Sequence, residues 1–100
     1  MNIIDVNKTL SNETRVKILK WLKNVKGNFP QNKELGHYEY GACVQYIQEK
    51  ANLSQPTISH YLSMMEKAGL IISTRWGKWT YYKRNEENIN KYLEILSKEL

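Results

Sequence analysis

Short polar side chains gather at the start of one predicted helix, in the stretch "LSQPTISHYLSMMEKAGL" that begins at residue 53. Helical residues three or four apart share a face, so these side chains should point the same way. That face would carry Gln55, Pro56, Ser59, His60 and Ser63, with Thr57 at its edge. Ser54, just before them, either caps the helix or joins the same face. Glutamine can pair with adenine, serine and threonine can bond several base edges, and helix-start amides suit phosphate. An acid-free face of this kind predicts contact with the major groove of DNA.

A basic hairpin is predicted directly after this helix. Two β-prone runs, 70–75 and 79–84, flank the turn Trp76-Gly77-Lys78. Arg75 and Lys78 at the tip could lie along phosphates or reach the minor groove. A tryptophan exposed beside such cations is uncommon on a surface that has no partner. For Trp79 we keep a second interpretation open, in which it anchors the hairpin to the core.

The helix that carries the polar face is predicted to be the second of a pair. Val44, Ile47 and Ala51 indicate a helix over about 42–50, and a second helix follows over about 55–68. The turn between them contains Asn52, a residue that tolerates a left-handed backbone. Two short helices joined by such a turn match a helix-turn-helix.

Three further helices are predicted, over 2–10, 12–25 and 86–99, with Gly27 ending the second of them. The predicted fold class is mainly α with a β-hairpin wing, a winged helix-turn-helix in the order α-α-α-α-β-β-α. Residues 1–100 are expected to form a single DNA-binding domain, because a chain of this length leaves no room for separate lobes.

The charge balance favours an anionic partner. The net charge is +5, and positive charge is concentrated in two segments: residues 1–26 carry six Lys or Arg against two acids, and residues 54–84 carry five against one. Charge alone does not separate nucleic acid from membrane, but no stretch approaches the roughly 20 apolar residues of a membrane span. Since no signal peptide pattern is present either, we expect a cytoplasmic protein that binds no membrane.

Quoted in chain order, "LSNETRVKILKWL", "LSQPTISHYLSMMEKAGLI" and "STRWGKWTYYK" resemble the ArsR family of bacterial winged-helix repressors. The resemblance implies a homodimer that binds an inverted-repeat operator in double-stranded DNA and leaves it when an inducer, not identified by the sequence, is bound. It also implies dimerisation through the first and last helices. The apolar residues expected at that interface are Ile3, Val6, Ile89, Tyr92, Leu93 and Leu96.

Many members of that family sense metals through a cysteine pair, and Cys43 resembles the first thiol of the pair. Gln45 stands at the second position, Tyr46 replaces the acidic ligand that often follows, and residues 85–100 contain no histidine. One thiolate without nearby His or Asp is a poor metal site, so we expect neither metal nor cofactor.

Two places for a signal stay open. Cys43 could respond to oxidants, which would make the protein a thiol-responsive repressor, or it could be a small residue packed in a helix. The 27–41 loop, with Phe29, His37, Tyr38 and Tyr40, could bind a ligand or simply cover the core.

Two other classes of function compete with DNA binding. The winged helix could bind another protein through its tryptophan hairpin, although the polar, acid-free face argues against this. An enzyme is not expected, because neither histidine stands in a motif with Cys43 and there is no Gly-rich phosphate loop.

Overall fold

The computed structural model of the protein describes all residues, 1–100. Six helices and three strands follow one another as α1 (Ile3–Leu10), α2 (Glu13–Lys23), α3 (Val25–Asn28), β1 (Ala42–Cys43), α4 (Val44–Ala51), α5 (Gln55–Lys67), β2 (Ile71–Trp76), β3 (Trp79–Arg84) and α6 (Glu86–Glu99). The strands form one antiparallel sheet in the order β1-β3-β2. The predicted winged helix-turn-helix, mainly α with a β-hairpin, is therefore confirmed. None of its helices combines the length and the apolar character that crossing a membrane requires.

The ends of the helices are set by local side chains. Asn2, Asn12, Ser54 and Asn85 each cap a helix by accepting a backbone N–H of the first turn. A cap of this kind stabilises a helix by about 1 kcal/mol. Asn52 ends α4 with a left-handed backbone (φ 54°), as the sequence indicated, and Gly69 follows α5 with φ 85°. The chain thus changes direction between α4 and α5 at a residue that tolerates the left-handed backbone.

One hydrophobic core joins the helices to the inner face of the sheet. Ile47 of α4 and Ile58 and Leu62 of α5 are fully buried and hold the two helices of the helix-turn-helix together. The core also includes Val6, Ile18, Leu22, Phe29, Ala42, Met65, Leu70, Ile71, Ile89 and Tyr92. Burial of each large side chain contributes about 1.5–3 kcal/mol, so this contact fixes the rotation of α5.

The element order differs from the prediction in two places. The helix expected from residue 42 begins at Val44, because Ala42 and Cys43 form a short strand opposite Tyr82 and Tyr81. Cys43 is buried, as expected of a small packed residue, but it lies on this strand rather than in a helix. The second helix ends at Lys23 rather than at the expected glycine, and a separate turn of helix, α3, follows.

The end of the long 29–41 segment packs on the outer face of the sheet. Directly opposed residues of antiparallel strands share a face, so Cys43 and Tyr81 lie on the face opposite Ala42 and Tyr82. The ring of Tyr40 lies 6.2 Å from the ring of Tyr81. A small second cluster therefore exists behind the sheet, apart from the main core.

Three of the residues expected at a dimer interface lie instead in the chain's own core. Val6, Ile89 and Tyr92 are buried, and the Tyr92 hydroxyl donates a hydrogen bond to the Asn7 side chain of α1. Apolar spacing identifies the buried stripe of a helix but not the body that covers it, and here the first half of α6 packs on its own domain. Leu93 remains 55% exposed, and Ile3 and Leu96 are half-buried.

Candidate nucleic-acid interface

The polar side of α5 faces outward. Ser54, Gln55, Pro56, Ser59, His60 and Ser63, here called the α5 polar face, are all exposed, and Thr57 at its edge is half-buried. On the opposite side of the helix Ile58, Leu62 and Met65 are fully buried. Because the core sets the rotation of the helix, the α5 polar face is held as a fixed and accessible surface.

Hydrogen bonds within the first turns divide this surface into two pairs. The Ser54 hydroxyl accepts the Thr57 N–H (3.4 Å) and donates to the Thr57 hydroxyl (2.9 Å), so both side chains serve the cap. The Gln55 Nε2 donates to Ser59 Oγ at 2.6 Å. That bond holds the glutamine along the helix and leaves its Oε1, a second Nε2 hydrogen and the Ser59 hydroxyl hydrogen for an outside partner. Gln55 and Ser59 are thus the pair best placed to read a base.

The single acid of α5 lies away from this pair. Glu66 is two turns after Ser59 on the same line of the helix, and its carboxylate accepts a hydrogen bond from the Ser73 hydroxyl of β2. The first two turns of α5 therefore carry no negative charge, and the one carboxylate serves to join the helix to the wing.

The wing presents its cations at the turn between β2 and β3. Gly77 has φ 60° and nothing crowds it, and Arg75, Trp76 and Lys78 are exposed. The Arg75 Nε donates to the Gly77 carbonyl at 3.1 Å, which keeps the guanidinium beside the turn. Lys78 is in no ion pair. Positive charge at an open turn is suited to contacts with phosphate.

The two wing tryptophans stand at opposite positions on β2 and β3. Trp76 and Trp79 are opposite residues of the antiparallel hairpin, and the Trp79 side chain is half-buried. Neither packs against the main core. The interpretation in which Trp79 anchors the hairpin to that core is therefore wrong.

Cys43 is enclosed behind the sheet. Its side chain is 4% exposed, and it lies opposite Tyr81, whose buried hydroxyl has no hydrogen-bond partner. Burial, together with Cys43, Glu34 and Tyr46, raises the pKa of Tyr81, so that hydroxyl stays protonated at neutral pH. Nowhere do three His, Cys, Asp or Glu side chains come together as metal ligands. Cys43 is also the chain's single cysteine, so no second thiol of the same chain can stand beside it.

Sequence reasoning missed Arg15, which positions α5. This arginine is 8% exposed, and its Nε donates to the Thr9 carbonyl at the end of α1 (2.7 Å). Its guanidinium lies 4.9 Å from the centre of the Tyr61 ring of α5. The helix end and the ring both favour a cation, so one side chain connects α1, α2 and α5. In the sequence Arg15 is one of several cations of α2, and nothing there distinguishes it.

Comparison with known proteins agrees with this geometry. Residues 41–73, which include the helix-turn-helix, match the model of the family described as bacterial regulatory protein, arsR family. Over 100 residues the chain is 43% identical to the HTH-type transcriptional regulator YbzH of Bacillus subtilis, and this alignment covers all of both chains. It is 33% identical to the transcriptional repressor SdpR of the same organism, over 94% of this chain and 92% of that one.

Solved structures share the fold. An ArsR-like transcriptional regulator from Rhodococcus superposes with a TM-score of 0.71 at 21% identity, covering 96% of this chain and 76% of the other. The homodimeric winged helix-turn-helix DNA-binding domain Mb0332 of Mycobacterium bovis superposes with a TM-score of 0.66 at 22% identity, covering 97% and 79%.

Proposed function

The chain belongs to the arsR family of bacterial regulatory proteins, and on that premise we propose that it is a transcriptional repressor that binds an inverted-repeat operator as a homodimer. The observation that carries the proposal is the exposed, acid-free start of α5 beside a basic wing. The similarity to a transcriptional repressor, SdpR, supports the direction of regulation.

In the proposed complex the α5 polar face enters the major groove. Gln55 and Ser59, already joined by their hydrogen bond, read base edges, and a glutamine in this position prefers adenine. Arg75 and Lys78 of the wing bind phosphates or the adjacent minor groove. Two copies related by a two-fold axis would place their α5 helices about 34–36 Å apart, in successive major grooves.

A free apolar surface on α1 and α6 supports the homodimer. Ile4 is 56% exposed and Leu93 55%, and Met1 and Leu100 at the chain ends are exposed as well. The hydrogen bond between Tyr92 and Asn7 holds α6 against α1. Since a two-fold interface uses the same patch on both copies, this surface can cover itself. We therefore assign the dimer contact to Ile4 and Leu93, with Ile3 and Leu96 at its border.

Leu93→Lys is expected to weaken the homodimer by about 2 kcal/mol, roughly 30-fold in the dissociation constant, because it places a charge in an apolar contact. Sedimentation over a range of protein concentrations measures the change. Gln31→Lys adds the same charge at an exposed polar position outside α1 and α6 and should leave the dimer intact. Equal dissociation constants for both variants would contradict the assigned surface.

Gln55→Ala is expected to reduce the preference for the operator over mixed-sequence DNA by about 1–3 kcal/mol, because a bidentate base contact is lost. Fluorescence anisotropy with the two duplexes measures the preference. The control is Gln45→Ala, which removes an exposed glutamine side chain of α4. Asn52→Ala would not serve, because alanine strains the left-handed turn. A preference unchanged by Gln55→Ala would exclude this residue from base reading.

Lys78→Ala is expected to weaken binding to all duplexes alike. If Lys78 neutralises one phosphate, the slope of log affinity against log salt should fall by about 0.9. Titrations at several salt concentrations measure the slope, with Lys98→Ala on α6 as the control that removes the same charge elsewhere. An equal change of slope in both variants would show that only net charge matters. It would contradict a phosphate contact by Lys78 of the wing.

A further inference from the structure

A cavity of about 240 Å³ lies between α1 and α5, on the side of α5 next to the α5 polar face. Asp5, Lys8 and Thr9 of α1 form one wall, and Met64, Lys67 and Ala68 of α5 form the other. Neither the proposed base contacts nor the proposed dimer surface uses these side chains. The proposed function therefore leaves the role of this cavity unexplained.

The charges around the cavity favour an anion. Neither Lys8 nor Lys67 is in an ion pair; the ion pairs of the structure join Lys17–Glu13, Arg84–Glu86, Lys91–Glu87 and Lys98–Glu94. Asp5 is the only acid in the wall. Two lysines against one carboxylate leave one positive charge without a counterpart.

Arg15, which contacts two residues of the cavity wall, adds to the excess of positive charge around the cavity. It donates to the carbonyls of Lys8 (3.5 Å) and Thr9 (2.7 Å), two residues that line the cavity, and no carboxylate pairs with it. A carbonyl end of a helix ordinarily repels an anion, because the helix dipole is negative there. Here a buried guanidinium occupies those carbonyls, so the end of α1 is open to a negatively charged neighbour.

The remaining wall is apolar and adaptable. Ala68 is buried and Met64 is half-buried, and the flexible thioether of a methionine adjusts to different shapes. Cavities for drug-sized ligands measure roughly 300–1,000 Å³, so this one suits a smaller molecule. The lining thus matches a compact apolar body that carries one carboxylate.

Lys67 connects the cavity to the DNA-binding surface. It follows Ser63 by four residues and His60 by seven, spacings that place all three on one side of a helix. Lys67 is exposed and also lines the cavity, so its ammonium can bind either a phosphate or a ligand in the cavity, but not both fully at once.

We propose that this cavity binds a small apolar monocarboxylate and that this binding lowers affinity for DNA. The second half rests on the proposed function. A carboxylate held by Lys67 withdraws a cation from the DNA side of α5 and places an anion where phosphates approach. Because coupling between two sites is reciprocal, DNA should weaken carboxylate binding by the same factor.

The first half of the proposal, carboxylate binding in the cavity, is tested without DNA. The nuclear magnetic resonance signals of the methyl groups of the three methionines, Met1, Met64 and Met65, report it. Benzoate and hexanoate are the probes, benzamide is the uncharged control, and sodium chloride matches the ionic strength. The Met64 methyl signal, assigned with Met64→Leu, should shift and saturate with each carboxylate but not with benzamide. Met65, which is fully buried in the core, should not move.

Lys67→Gln is expected to weaken carboxylate binding at least about fivefold, because one of the two cations is lost. Lys20→Gln, an exposed and unpaired lysine of α2, removes the same charge outside the cavity and should bind as the parent does. The site is overturned if Met64 responds to neither carboxylate, if benzamide acts equally, or if Lys67→Gln binds unchanged.

The second half of the proposal, that carboxylate binding lowers the affinity for DNA, is tested with operator DNA. Saturating benzoate should weaken DNA binding by about fivefold or more relative to sodium chloride, and Lys67→Gln should abolish that difference. Carboxylate binding with unchanged DNA affinity would overturn the regulatory half and leave the site standing. A protein that binds no DNA under any condition would overturn the proposed function, while the methionine signals would still decide whether the site exists.

Discussion

Ser59→Asp is expected to weaken operator binding by about two orders of magnitude while leaving the fold unchanged. Ser59 lies in the centre of the α5 polar face, is exposed, and accepts a hydrogen bond from Gln55. An aspartate there can still accept that bond, so the free protein should lose little stability. In the groove, however, a carboxylate meets phosphates and base acceptors at close range, and juxtaposed like charges cost several kcal/mol.

The experiment compares Ser59→Asp with Gln31→Asp, which adds the same charge at an exposed position outside α5 and outside the proposed dimer surface. Anisotropy titrations measure affinity for operator and mixed-sequence duplexes, and thermal unfolding followed by circular dichroism verifies the fold. Loss of binding to both duplexes in the first variant alone would locate the groove contact at α5. Similar affinities for the two variants would show that α5 does not approach DNA, and the proposed interface would have to be abandoned.

Gly41→Ala is expected to destabilise the domain by about 3 kcal/mol or more. Gly41 has φ 88°, and a β-carbon at this position would lie 1.9 Å from the backbone oxygen of Tyr82. No side-chain rotation relieves a contact with backbone, so the chain has to move away from β3. The pairing of β1 with β3, and with it the enclosure of Cys43 and Tyr81, should be lost.

Gly36→Ala is the matched control for this prediction. Gly36 also has a left-handed backbone (φ 76°), but nothing lies within 4 Å of the added carbon. It should therefore lose only the conformational cost of about 1–2 kcal/mol. Urea unfolding gives both free energies. If the two variants were equally stable, steric contact with β3 would not be the cause, and the strand pairing of residues 42–43 would be in doubt.

Much of the helix-turn-helix could be predicted from the sequence, because its signals are local. The Ser54 cap, the left-handed Asn52 and the positive φ of Gly69 all act within one turn of the chain, and the left-handed turn is found at Asn52, as expected. The apolar spacing of Ile58, Leu62 and Met65 likewise identifies the buried side of α5, and the exposed side follows by exclusion.

Other features depended on contacts between distant residues. A two-residue strand such as β1 has no periodicity to detect, and it exists because residues 42 and 43 meet Tyr82 and Tyr81 about forty positions later. Arg15 is indistinguishable from the exposed lysines of α2 until the end of α1 and the Tyr61 ring enclose it. The cavity between α1 and α5 could not be inferred at all, since its two walls are more than fifty residues apart.

By itself, then, the sequence determined the type of fold, the ends of α5 and which side of that helix is free. These properties follow from short-range geometry: caps, turns and the period of a helix. Only the tertiary structure decided which apolar residues of α1 and α6 fill the chain's own core and which, such as Ile4 and Leu93, stay exposed. The physical reason is that burial is a property of packed neighbours, and a repeating apolar pattern does not specify whether those neighbours belong to the same chain or to another.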